Sequence, residues 1–298
     1  MAAGASPQQE IFDWIEQNTE YGAVTRSAAS GASGWASAFK VETQSGTPLF
    51  VKMSTSEPLS MFQGEAEGLR AMHQTHTIRV PNAIHYGELS ARPGATFIVM
   101  EHLDMRGRSS QKELGLALAK LHLAEPAVQE AKQGMFGFHV NNTIGGTFQP
   151  NEWTDSWVDF FREKRIMHQI KLAKSAELRN LATRLCDRLP SYFEGITVQP
   201  SVLHGDLWSG NIGAANGEVA IFDPATYYGH HEAEFGMSWC AGFGPEFWDA
   251  YHSLIPRAPG FKERHKIYTL YHYLNHYNLF GGGYYNSAYA ILSDLVGK

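Results

Sequence analysis

Residues 203–224 read Leu-His-Gly-Asp-Leu-Trp-Ser-Gly-Asn-Ile-Gly-Ala-Ala-Asn-Gly-Glu-Val-Ala-Ile-Phe-Asp-Pro. Three of these residues can act together. Asp206 can accept a proton, Asn211 stands five positions on, and Asp223 lies beyond a turn signal at Asn216-Gly217. Asn-Gly is the commonest two-residue hairpin dipeptide, because both positions must take positive φ. The run that follows, residues 218–222, reads as a strand. A hairpin there folds Asp223 back beside the loop that holds Asp206 and Asn211. A general base next to two oxygen-bearing side chains makes a magnesium site, with Asn211 and Asp223 as ligands. Taken singly, His-Gly-Asp and Asp-Pro are common turn sequences and each Asp reads as solvated. The joint pattern carries the argument.

Upstream residues supply what such a site needs. Residues 27–38 are small and rich in Ser, Ala and Gly, between strand-like segments at 21–26 and 39–43. Small residues let a loop lie close over phosphates with backbone N–H groups toward the anion. Gly31 and Gly34 are its only glycines and the full Gly-x-Gly-x-x-Gly pattern is missing, so a plain hairpin tip is the alternative. Lys52 lies near the end of a third strand (49–53), and Glu65 follows in an expected helix at 60–73. An ion pair between them would hold Lys52 against nucleotide phosphates. Glu67 is the rival partner, but it sits about 200° around the helix from Glu65, so only one can face the cleft. Residues 95–100 form a buried-strand run, and Glu101-His102-Leu103 leaves it as a hinge whose backbone groups can meet an adenine edge. The domain boundary is placed there, with a nucleotide-binding lobe at 1–103 and a catalytic lobe at 104–298. Asp-x-x-x-x-Asn, with a second Asp after a hairpin, is the spacing of a kinase catalytic loop.

Composition is consistent with this reading and excludes others. The 298 residues suffice for two lobes with separate cores. Hydrophobic residues make up 43% and charged residues 18%, as in a globular chain. A formal net charge of −6 and the lack of a sustained basic face argue against a general nucleic-acid binder. No apolar run approaches the ~20 residues that span a bilayer, and residues 1–9 carry no signal-peptide pattern. A cytoplasmic monomer with no membrane contact is expected. Cys186 and Cys240 are far apart in unlike contexts and read as reduced thiols. Ser110 and Glu113 form a capping box before a core helix. Residues 126–152 read as loop, 153–174 and 176–189 as helices, and 232–251 and 262–280 as mostly helical. His272 and His276 stand four apart, a spacing that can ligate a metal, but a core or substrate-cleft role is preferred.

His204-Gly-Asp-Leu-Trp-Ser-Gly-Asn211 with Phe222-Asp-Pro-Ala-Thr-Tyr-Tyr-Gly229 resembles the fructosamine-3-kinase (ketosamine-3-kinase) family, which is related to the aminoglycoside phosphotransferases. Phe50-Val-Lys52, Met61-Phe-Gln-Gly-Glu65, Leu118-Ala-Lys-Leu-His122 and His272-Tyr-Leu-Asn-His276 are similar to family segments in family order. The resemblance implies an α+β, two-lobed protein-kinase-like fold: a small N-terminal antiparallel-sheet lobe and a larger, mainly helical C-terminal lobe. It also implies roles. Asp206 takes the acceptor's proton, Asn211 and Asp223 hold Mg2+, Lys52 steadied by Glu65 contacts the phosphates of ATP, and the backbone of Glu101, His102 and Leu103 binds adenine. Trp208 stacks on the acceptor sugar and His276 lines the same cleft; the alternative for Trp208 is a core aromatic. Two departures stand out. The phosphate loop is Gly31-Ala-Ser-Gly-Trp35 with no cysteine, and Ala and Ser reach positive φ less freely than Gly. His231-Glu-Ala-Glu-Phe-Gly236 replaces an acidic residue followed by Leu-Ala, with Glu234 in the acidic position, where it would brace the catalytic loop.

The expected activity is phosphorylation of a ketosamine, such as a fructosamine or ribulosamine, free or on a protein lysine, at O-3 for deglycation. Residues 268–285 are expected to line the acceptor cleft; they are rich in Tyr, His and Asn and hold no Asp or Glu, which suits a neutral polyol better than an aminoglycoside. Glu232 or Glu234 is the candidate partner for the acceptor amine. Two rivals stay open: an aminoglycoside or other small-molecule phosphotransferase, and a nucleotide-binding pseudokinase, against which Lys52, Asp206, Asn211 and Asp223 all count.

Overall fold

The computed structural model describes residues 6–32, 34–105, 107 and 110–297. Helix α1 (Pro7–Asn18) starts on Ser6, whose hydroxyl accepts from Gln9 N–H at 3.2 Å. Its Ile11 and Ile15 lie one turn apart and are buried on the sheet that follows. That sheet has five antiparallel strands, β1 (Val24–Ala32), β2 (Ser37–Thr43), β3 (Pro48–Ser54), β4 (Ala83–Glu88) and β5 (Thr96–Glu101), in the order β1-β2-β3-β5-β4. Alternate residues Phe39, Val41, Leu49, Val51, Phe97 and Val99 face α1 and close a core of their own. Strand β1 is longer than its sequence suggests and pairs with β2 out to Ala32–Ser37. It is an edge strand with its residues from Thr25 to Gly31 exposed, so it needs no large side chains and shows no apolar alternation.

Helix α2 (Leu59–His73) packs on the opposite face of the sheet. Beyond β5 the chain turns helical. Helix α3 (Gln111–Leu123) is capped by Ser110, which accepts from Glu113 N–H at 3.2 Å. A short helix α4 (Gln129–Lys132) follows, then strands β6 (Asn142–Ile144) and β7 (Thr147–Gln149), which pair as a hairpin where a loop was expected. Three-residue strands carry too short a pattern to read. They persist because their buried amides are bonded: Asn142 Nδ2 donates to Thr226 O at 2.7 Å and Gln149 Nε2 to Ala225 O at 3.1 Å. Helix α5 (Trp157–Phe160) runs through a π-helical stretch (Phe161–Met167) into α6 (His168–Ala173), and α7 (Ala176–Arg188) begins on the Ser175 cap. Strands β8 (Ser201–Leu203), β9 (Ile212–Ala215), β10 (Glu218–Ile221) and β11 (Tyr227–Gly229) frame the decisive stretch. A 3-10 segment (His231–Met237) and helices α8 (Ser238–Ala241), α9 (Pro245–Leu254), α10 (Phe261–Phe280) and α11 (Tyr284–Gly297) complete the body. Nothing in the sequence reading anticipates α11.

The α2 face of the sheet, by contrast, shares its core with the helical body. Phe62, Leu69, Ile98 and Met100 belong to the same buried cluster as Leu118, Leu203, Tyr268 and Leu295. Helix α2 joins the two parts through its glycines. A Cβ on Gly64 would lie 2.8 Å from the Asn142 backbone, and one on Gly68 2.7 Å from Thr226 Oγ1. That close seating fixes α2, and Glu65 on it, above the catalytic stretch.

Candidate active site

The Asp206 loop is held from below by two buried groups. His204 Nδ1 accepts from Asp206 N–H at 3.2 Å, so its Nε2–H donates to Phe222 O at 2.8 Å. Burial lowers the pKa of this ring, consistent with that neutral tautomer. The Glu234 carboxylate accepts from the N–H groups of His204 (2.7 Å) and Gly205 (2.9 Å), and lies 3.2 Å from His122 Nε2. Burial pushes Glu234 up, but the hydrogen bond to His122 and the charges near it outweigh burial and hold it below the ordinary value. Gly205 takes φ of +80°, and a Cβ there would strike the Ala225 carbonyl.

The hairpin forms at the expected place. Asn216 and Gly217 take φ of 53° and 86° between β9 and β10. It returns Asp223 to the loop, where Asn211 Nδ2 donates to Asp206 O (2.9 Å) and Asp223 O (3.4 Å). With its nitrogen fixed on two carbonyls, the Asn211 amide has its oxygen left for another ligand. Asp223 sits at φ of 57°, a strained conformation for a non-glycine residue. Its half-exposed carboxylate meets Lys52, which also donates to Glu65 at 2.8 Å. Glu67 points elsewhere and pairs with Arg70 at 2.7 Å.

These charges set each other. Burial would lower Lys52, but Asp223 and Glu65 outweigh it and raise its pKa. Burial and Asp223 raise Glu65 despite Lys52. Lys52 overcomes burial at Asp223 and lowers it. Among the described residues Asp206 has no cation beside it; desolvation first, then Asp223 and Glu234, push it up to about 7. A base poised near neutrality suits proton transfer.

Lys52, Glu65, Asp206, Trp208, Asn211 and Asp223 line one cavity of about 420 Å³, and Gly31 lines it too. A cavity of about 490 Å³ beside His73, Arg79 and Glu218 has no comparable set of reacting groups. Trp208 is 40% exposed, its ring over Gly210, so it is not a core aromatic. Gly34 is exposed in the β1–β2 turn, outside the cavity lining. Residues 101–103 also lie beyond that lining. Glu101 N–H is spent on Asn82 O (2.9 Å), its side chain pairs with Arg79, and His102 N–H meets Pro48 O at 3.3 Å. Among the described residues, Leu103 N–H has no protein partner.

Two expectations need correction. Residues 268–285 do not line the cavity. Tyr268, Tyr271, His272 and Asn275 are buried, with the Tyr268 hydroxyl accepting from Trp157 Nε1 (3.1 Å) and Tyr271 bonded to Gln149 (2.5 Å). An aromatic-rich helix with polar tips can be core when each tip finds a partner. His276 packs instead with Trp239 and Tyr284, ring centres 5.7 and 5.0 Å away. Glu232 and Glu234 do not face an acceptor either: Glu232 is bound by Arg264 (2.7 and 2.8 Å), and Glu234 serves the loop. His272 and His276 belong to no metal cluster among the described residues; His230, His231 and Glu232 come together, but that carboxylate is already committed to Arg264. Sequence reasoning missed His122 and the β6–β7 hairpin, whose Thr143 and Gly145 reach the cavity. The Gly145-Gly146 pair was the available signal.

A small antiparallel sheet joined to a helical body, with Asp206, Asn211 and Asp223 facing a Lys52–Glu65 pair, is the arrangement of the kinase-like phosphotransferases. The chain belongs to the fructosamine kinase family, whose profile matches residues 7–298. It is 44% identical over 302 residues to the protein-ribulosamine 3-kinase, chloroplastic, of Arabidopsis thaliana, covering 99% of this chain and 90% of that one. It is 39% identical to the ketosamine-3-kinase of Mus musculus, covering 83% and 87%. A crystal structure described as a fructosamine-3-kinase of Thermobifida fusca superposes with a TM-score of 0.83 at 25% identity, covering 99% and 100%.

Proposed function

We propose that this chain transfers the γ-phosphoryl group of ATP to O-3 of a ketosamine, with the sugar on a free amine or on a protein lysine. The observation that carries the proposal is the convergence of Asp206, Asn211 and Asp223 with the Lys52–Glu65 pair in one cavity. Asp206 takes the acceptor hydroxyl proton as that oxygen bonds to phosphorus and the bond to ADP breaks. Lys52, now shared between Glu65 and Asp223, turns to the phosphates when nucleotide enters. The Asn211 amide oxygen and the Asp223 carboxylate are hard oxygen donors, and they fit Mg2+. When bound, the ion neutralises charge on the phosphates. In this reading Leu103 N–H and the Glu101 carbonyl meet adenine, and the lobe boundary falls after Leu103.

The acceptor class rests on the relatives' names and on which acids are unspent. The acids in the cavity lining are Glu65, Asp206 and Asp223, and each already has a task in catalysis or in holding Lys52. A polycationic aminoglycoside would find no spare carboxylate there, whereas one sugar can stack on half-exposed Trp208. Among the described residues no helix is long and apolar enough to cross a membrane. A cytoplasmic monomer is part of this proposal. The test is initial rates at equal ATP for fructosyl-lysine, ribulosyl-lysine and kanamycin. Turnover of the ketosamines with little on kanamycin is expected; preference for kanamycin, or no turnover of any acceptor, would overturn the reading.

A further inference from the structure

Trp35 sits in the β1–β2 turn of the small sheet, yet its ring lies against the other half of the molecule. A Cβ built on Gly146 would come within 2.5, 2.7 and 2.8 Å of three carbons of the Trp35 ring. One on Gly145 would come within 4.0 Å of the same ring and 3.0 Å of Leu279 Cδ1. Gly145 and Gly146 are the turn of the β6–β7 hairpin, and Gly145 takes φ of 57°. The hairpin is bolted to the body. Asn142 and Gln149 bond the Thr226 and Ala225 carbonyls, Tyr271 bonds Gln149, and Asn275 Nδ2 reaches Ile144 O at 3.4 Å. On the sheet side, Ser54 Oγ donates to Trp35 O at 2.7 Å. Trp35 is therefore held by its backbone on the sheet side and by its ring on the body side, and it borders the same cavity as Lys52, Asp206 and Asp223.

We propose that Trp35 is a positioning residue that clasps the phosphate loop onto the Gly145-Gly146 turn, and so pre-forms the nucleotide side of the cleft. The inference rests on the kinase reading above. It answers a difficulty in the sequence: a loop with only Gly31 and Gly34 cannot wrap phosphates by glycine freedom alone, and an external fastening supplies the order instead. The clasp requires bare glycine at 146, because even a methyl group would displace the ring.

The test is titration of the full chain with Mg-ATP by calorimetry, independent of any acceptor. Trp35→Ala and Gly146→Ala should each weaken ATP binding by about tenfold, the worth of one lost packing contact of this size. Trp35→Phe should recover most of the affinity. In the double variant the Gly146→Ala change should add less than about twofold, because its Cβ then meets no ring. Additive losses, or unchanged ATP binding in both single variants while Asp223→Ala weakens it, would overturn the clasp and leave the kinase reading standing. Failure of the unaltered chain to bind Mg-ATP would overturn both. If Trp35→Ala does not fold, Gly146→Ala and Trp35→Phe carry the same comparison.

Discussion

Asp206 is part-buried near two carboxylates, with no cation beside it among the described residues, which makes it costly for the fold. Its pKa is about 7 against an ordinary 3.8. A raised carboxyl disfavours the ionised folded form. The cost is absent below about pH 3.8, grows as pH rises and is complete above about pH 7. Asp206→Asn should therefore raise the melting temperature more at pH 8 than at pH 5; an equal or opposite ordering would contradict the environment described. The same value places the acid limb of kcat/KM near pH 7. Trp208 offers the other residue-scale check. Trp208→Ala should raise KM for a ketosamine by roughly tenfold, with KM for ATP nearly unchanged, the worth of one stacking contact of ~1–2 kcal/mol. An unchanged acceptor KM would remove Trp208 from the site. That Asp206, Trp208, Asn211 and Asp223 share one cavity was legible because their spacing brackets a hairpin turn. Glu234 braces the loop as its place in the sequence suggests, through the N–H groups of His204 and Gly205; a cleft-facing role for Glu232, Glu234 or His276 is not met, because a polar residue in an apolar helix looks alike whether its partner is a ligand or a buried neighbour.

At the scale of elements, α2 is the part that joins sheet, cleft and body. Gly64 faces Asn142 so closely that a methyl group would need one of the two backbones to move. Gly64→Ala should cost about 1–3 kcal/mol by overpacking, which lowers the melting temperature by several degrees, and it should weaken ATP binding because Glu65 is the next residue. An unchanged melting temperature would show that α2 is not seated as described. Long elements with one apolar face, α1, α2, β2 and β3, were readable from period, and β5 from its continuous apolar run. The edge strand β1 and the β6–β7 hairpin were not. One buries almost nothing, and the other is three residues long and held by side-chain amides rather than by pattern.

For the whole molecule, the α1 face of the sheet keeps a core of its own, while its α2 face shares one buried cluster with the helical body. Sequence shows which residues are apolar but not that Gly64 and Gly68 let two layers fuse. Calorimetric melting should therefore give one cooperative transition, and two resolved transitions would contradict a shared core. The cleft at that junction is where the account stands or falls. The most direct measurement is single-turnover phosphorylation of ribulosyl-lysine, with Mg-ATP affinity measured alongside, for the natural chain and for Asp206→Asn. The account predicts transfer to the ketosamine by the natural chain. It predicts that the variant loses it by at least about a thousandfold while ATP affinity stays within about threefold. Transfer at an undiminished rate by Asp206→Asn would contradict it.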